Sequence, residues 1–193
     1  MKTNFKSFTE STKEDWQIIV GEQRKFMAGL PDRILQHMQL LHGDCGGFPL
    51  DRLQHCLQTA ELAAEAGEDD EYVVCALLHD IGDTLGSFNH ADVAAEILRP
   101  FVSDANYWMI KHHAIFQGYN FFHHFGVDRN MRDKFKDSEH YERTERFVAK
   151  YDNIAFDNSR PKLSLDLFAP MVRKVIAVPK QSLYKKVLGD VSE

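Results

Sequence analysis

Apolar residues recur along this chain at three- and four-residue steps almost throughout, the period of a helix that buries one face. Residues 12–28 and 31–42 follow it, divided at "GLPDR", where Pro31 is suited to open the second helix. "HGDCGGFP" comes next, too rich in glycine for regular structure, and reads as a loop free to move. A long helix is predicted over 49–66. Asp51, Gln54, Gln58, Glu61 and Glu65 share its solvent face, and His55, Thr59, Leu62 and Ala66 its buried side. The run 71–81 is apolar all round and therefore central. Asn89, with Asp92 three residues on, predicts a capping box opening 90–99, and Ser103 caps 104–114 in the same way. Further helices fit 128–136 and 138–153, and Ser164 opens a last long one, kinked or split at Pro170. No two-residue alternation, internal repeat or low-complexity tract interrupts this pattern. The chain reads as all-α.

Length and charge narrow the function. The 193 residues suit one domain with a terminal extension. A net charge of -6 without a basic stripe argues against nucleic acid as a partner. No apolar run approaches the ~20 residues that a membrane helix needs. The opening "MKTNFKSFTESTKEDW" lacks the apolar core of a signal peptide. Cys45, Cys56 and Cys75 are odd in number and have no metal-ligand spacing, so they read as reduced thiols in a cytoplasmic protein.

The chemistry sits where the central helix ends. In "LLHDIGD", His79 and Asp80 follow an apolar run with no polar face, and a carboxylate there costs several kcal/mol unless paired. His55 lies on the buried side of its helix, His90 opens a helix after a turn, His113 shares a face with Met109 and Ile110, and Asp152 ends "FVAKYD". Singly, such histidines read as core residues and such aspartates as caps. Together, four imidazoles and two carboxylates on inward faces or ends of five helices are the ligand types of a transition-metal site inside a bundle.

The order His55, then His79-Asp80, then a distal Asp152, with "LLHDIGD" itself, resembles the HD-domain superfamily of metal-dependent phosphohydrolases and oxygenases. The resemblance covers roughly 50–155. It implies an HD-domain helical bundle over 49–193, preceded by a helical extension and glycine-rich loop over 1–48. It further implies one metal on His55, His79, Asp80 and Asp152. His90 and His113 would complete a second site, with Asp80 as the catalytic bridge. "QHCLQTAELA", "IKHHAIFQGY" and "KYD" are similar to segments of the mixed-valent diiron oxygenases, the myo-inositol and organophosphonate-cleaving type. That alignment selects His113 over His112. It implies two iron ions, Fe(II)/Fe(III), and dioxygen used to cleave a C–C or C–P bond of a small hydroxylated polar molecule. The alternative within the superfamily is a phosphohydrolase of phosphate esters or nucleotides using Mn, Mg or Ni; a third reading is a ligand-sensing domain without catalysis.

The sequence departs from those oxygenases where they touch substrate. Asp83 stands three residues after the HD aspartate, where they carry Lys or His, and is expected to face a hydroxyl or ammonium group. Gln117 replaces a lysine after the fourth histidine. Cys45 and Phe48 fall where the phosphonate enzyme has a lid of tyrosine and glutamate. Arg129 and Arg132, three apart, are candidates for gripping a carboxylate or phosphate of the substrate, or else pair with Asp128 or Asp133 at the surface, and Lys111 is a candidate cation beside the ligands at the substrate site. The oligomeric state is left open.

Overall fold

The computed structural model describes residues 2–182 and 184. It is all-α, with no strand among the described residues. The helices are α1 (Lys13–Ala28), α2 (Leu30–Met38), α3 (Arg52–Glu65), α4 (Asp70–Leu78), α5 (His90–Leu98), α6 (Asp104–Phe121), α7 (Tyr141–Lys150) and α8 (Ala169–Ile176). Short 3-10 turns join several of them.

The apolar run makes α4 the axis of the fold: Tyr72 through Leu78 are all buried. Against α4 pack α3, α6 and α8, while α6 also lies between α5 and α7. α1 buries no residue, whereas Ile34, Leu35 and Met38 of α2 join the same core as α4. Pro31 falls in the first turn of α2, where a missing N–H costs nothing. Side chains of Asp51, Asp69 and Ser103 accept from the backbone N–H three residues on and so cap α3, α4 and α6.

Several expectations need correction. The face of α3 assigned to solvent is a seam: Gln54 and Gln58 are buried. Gln54 donates to Leu163 O (2.9 Å) and accepts from Leu163 N (3.0 Å); Gln58 does the same with Asp157 (2.8 and 3.1 Å). Each primary amide thus satisfies both polar groups of a backbone unit, which lets an irregular strap over 155–165 lie on a helix without orphaned donors. Arg160 seals it through Glu61 (3.1 Å) and Glu65 (3.2 Å). At the far end of the presumed buried side, Ala66 is exposed. Asn89 begins α5 without a side-chain cap. Its backbone N–H closes a turn on Gly86 O (2.9 Å) instead. α6 runs seven residues past 114 to Phe121, with Gly118 leaving room for the Phe122 ring. Residues 129–135 form a 3-10 helix, and α7 begins at Tyr141 rather than 138. The last helix is split: a 3-10 turn over Leu165–Leu167 precedes α8, and anything beyond 184 lies outside the described residues.

Candidate metal centre

His55 faces inward from the first turns of α3, His79 ends α4, His90 opens α5, His113 lies mid-α6, and Asp152 follows α7. Asp80 leaves the helix at φ -104, ψ 12 and begins the 3-10 turn Ile81–Thr84. A 3-10 helix has three residues per turn, so Asp80 and Asp83 align on one side. The Asp83 N–H donates to Asp80 O (3.0 Å).

The six residues form two trios, and Asp80 of the outer one turns an oxygen toward each. In the inner group, His55 Nε2 lies 3.1 Å from His79 Nε2 and 3.2 Å from Asp152 Oδ1. Asp80 Oδ2 faces this group, 3.2 Å from His79 Nε2 and 3.7 Å from His55 Nε2. The other Asp80 oxygen, Oδ1, lies 3.3 Å from His113 Nε2 and 3.5 Å from His90 Nε2. Ligand atoms of His55, His79 and Asp152, and separately of Asp80, His90 and His113, are close enough to share one ion each.

The donor chemistry fits a cation. Nδ1 of His55, His79 and His113 faces Ala155 O (3.1 Å), Ala76 O (2.8 Å) and Ile110 O (2.7 Å). Carbonyls only accept, so Nδ1 carries the proton and Nε2 turns a lone pair inward. The centre therefore gathers lone pairs and carboxylate oxygens, which repel one another unless a positive charge stands between them. Asp152 Oδ2 is buried with no hydrogen-bond partner among the described residues, a costly arrangement without a ligand. The ionisation equilibria say the same. Burial pushes the Asp80 carboxyl up, yet His79 and His113 outweigh it and hold it well below the usual carboxylate range. Asp152 is lowered too: burial opposes, His55 and His79 prevail. Burial works against a charged His55 or His113, but the facing carboxylates pull both upward. His90 goes the other way, lowered chiefly by burial. The cluster can hold metal ions, and protons stand in when none is bound.

A cavity of about 630 Å³ opens over the cluster and reaches both trios. Its polar lining includes Arg52, His55, Asp80, Asp83, His90, His113, Gln117 and Asp152; its apolar lining includes Phe48, Leu50, Phe121 and Phe156. Phe156 stacks on His55 (centroids 4.3 Å apart) and Phe48 stacks on Phe156 (5.4 Å). Gln117 donates to Asp152 Oδ1 (2.8 Å), and its own Oε1 is buried without a partner among the described residues.

Other expected residues sit elsewhere. Lys111 lies with Tyr107 (3.1 Å), Asp92 (3.5 Å) and Glu96 (3.7 Å), away from the cavity wall. Arg129 and Arg132 both stack on Tyr119, and Arg132 pairs with Glu145 (3.1 Å) rather than with Asp128 or Asp133. His112 stacks on Trp108 (3.9 Å), outside the cluster. Cys45 is exposed and borders a neighbouring cleft, not this cavity. Two residues escaped the sequence reading. Arg52 lies one turn before His55, a spacing that signals a shared face. Phe156 carries no such signal. Cys56 approaches His79 and Asp80, but burial and the nearby aspartates hold its thiol well above the usual range, in the neutral form.

Fold and cluster together define a helical metal-binding domain. The profile of the HD domain matches residues 52–156, more than half of the chain and all six clustered residues, and the chain belongs to that family. Among characterised proteins it is similar to the (1-hydroxy-2-(trimethylamino)ethyl)phosphonate dioxygenase (glycine-betaine-forming) of Leisingera caerulea. The two are 30% identical over 110 residues, 51% of this chain and 53% of that protein. The chain thus spans about half the length of this relative. No helix among the described residues is long and apolar enough to cross a membrane.

Proposed function

We propose that this chain is a diiron oxygenase, using dioxygen to cleave a C–C or C–P bond of a small hydroxylated polar molecule. The observation that carries the reading is Asp80, which turns one oxygen toward each trio and so suits a bridge between two ions. The dioxygenase name of the relative favours oxygen chemistry over phosphate hydrolysis. When bound, an iron pair supplies dioxygen activation and hydrogen removal from the hydroxyl-bearing carbon. His55, His79, Asp80 and Asp152 would hold one iron, and Asp80, His90 and His113 the other. The chain's own part is to orient and to exclude water. Carbonyl partners fix the imidazoles of His55, His79 and His113, Gln117 steadies Asp152, and Phe48, Phe121 and Phe156 keep one wall dry. A cavity of about 630 Å³ is sized for a small substrate.

The test is turnover of small hydroxylated phosphonates and polyols by anaerobically purified, iron-loaded protein. Oxygen consumption should accompany product, and isotope from labelled dioxygen should enter it. Efficient phosphate release from an ester under strict anaerobiosis would establish the hydrolase instead.

A further inference from the structure

One of the four clustered imidazoles is oriented differently from the rest. The carbonyls that meet His79 and His113 belong to the preceding turn of each residue's own helix, three positions back, and His55 uses Ala155 O from the strap. His90 is the first residue of α5, so no helical turn precedes it to offer a carbonyl. Its Nδ1 lies instead 3.4 Å from Asp83 Oδ1.

That approach is built in. A Cβ on Gly82 would lie 2.3 Å from the carbonyl oxygen of His90, so only glycine lets the turn carrying Asp83 lie against the start of α5. The second Asp83 oxygen takes the guanidinium of Arg52. Arg52 is backed in turn by the glycine-rich loop: its Nε lies 3.5 Å from Asp44 Oδ2, and a Cβ on Gly46 would meet its terminal nitrogen at 2.8 Å.

We propose that Asp83 and Arg52 are positioning residues for the outer half of the centre. Asp83 accepts the Nδ1 proton of His90 and so turns Nε2 toward Asp80, and Arg52 holds Asp83 in that pose. Asp83 is then not a free carboxylate awaiting a substrate ammonium group, because Arg52 answers its charge. The inference rests on the two-ion part of the proposed function and not on the reaction class.

Manganese(II) provides the test, because a coupled pair and a lone ion give different paramagnetic resonance spectra. Full-length protein stripped of metal and titrated with Mn(II) should bind two ions and show the coupled signal. Arg52→Gln and the isosteric Asp83→Asn should each weaken the outer ion about ten- to a hundredfold and leave the inner one bound. At limiting manganese the coupled signal should give way to the lone-ion signal. Arg52→Lys, which still offers Asp83 a cation, should recover part of the loss. Unchanged affinity for both ions in Arg52→Gln and Asp83→Asn overturns the inference. So does equal weakening of both ions, the mark of a merely structural role. A wild-type chain that binds a single ion overturns the two-ion reading, and this inference with it.

Discussion

The two halves of the centre use the same residue types, yet their surroundings differ. The inner trio is the more deeply buried: His55, His79 and Asp152 are at most 5% exposed, Phe156 stacks on His55, and only the floor of the cavity reaches His55 and Asp152. The outer trio borders the cavity, and the side chain of His90 is 26% exposed. The two inner imidazoles, like His113, face backbone carbonyls, whereas His90 faces the Asp83 side chain. On the two-ion reading proposed above, the deeper site would hold its ion more tightly than the one beside the half-exposed His90. Asp80 belongs to both and couples them.

The change that should most disturb this contrast is Asp80→Asn. It removes the shared charge while leaving four inward lone pairs, so both ions should be lost. Breaking such a buried charge group costs about 3–5 kcal/mol. Metal analysis and thermal unfolding check it, and retention of either ion would separate the halves. Next comes His90→Ala, expected to leave about one ion per chain with little loss of stability, since His90 is only half-buried. Two ions of unchanged affinity in this variant would break the outer assignment. His112→Ala should be near neutral for metal binding beside His113→Ala.

A third prediction uses pH. Without metal, His55 and His113 have raised proton affinity in the fold. The stability they contribute is therefore full below about pH 6.5, their unfolded value. It is lost as pH rises through their folded values. Metal binding needs the same nitrogens free and strengthens in that direction. The gap in melting temperature between loaded and metal-free protein should widen from pH 6 to 8. A gap that narrows would contradict the proton-for-metal exchange. A last, local effect belongs to the strap: Gln58→Ala leaves the Asp157 backbone groups without their amide partner. It should cost about 1–3 kcal/mol, and the inner ion should exchange faster while the outer one is unaffected.

The strap also marks where the sequence stopped being informative. The helices were legible from their period, and the caps at Ser103 and the proline in α2 from their residue types. All six clustered residues stood out because they lie on inward helix faces or at helix ends, and the resemblance divided them between two sites. Gln54 and Gln58 read as solvent-facing because their partners lie about a hundred residues away, and no local pattern carries such a pairing. Asn89 had a capping residue's identity, but the turn from Gly86 claimed its backbone first. Asp83 was noticed as a carboxylate beside the HD pair. Its partner Arg52 was not, because a charged residue one turn from a buried histidine looks the same whether it faces solvent or the cavity.

The most direct measurement of the central claim is an anaerobic iron titration of the metal-stripped chain, followed by partial oxidation and paramagnetic resonance. Two irons per chain, the first bound more tightly than the second, with a coupled mixed-valent signal after oxidation, is the predicted result. Saturation at one iron per chain with no coupled signal would contradict it.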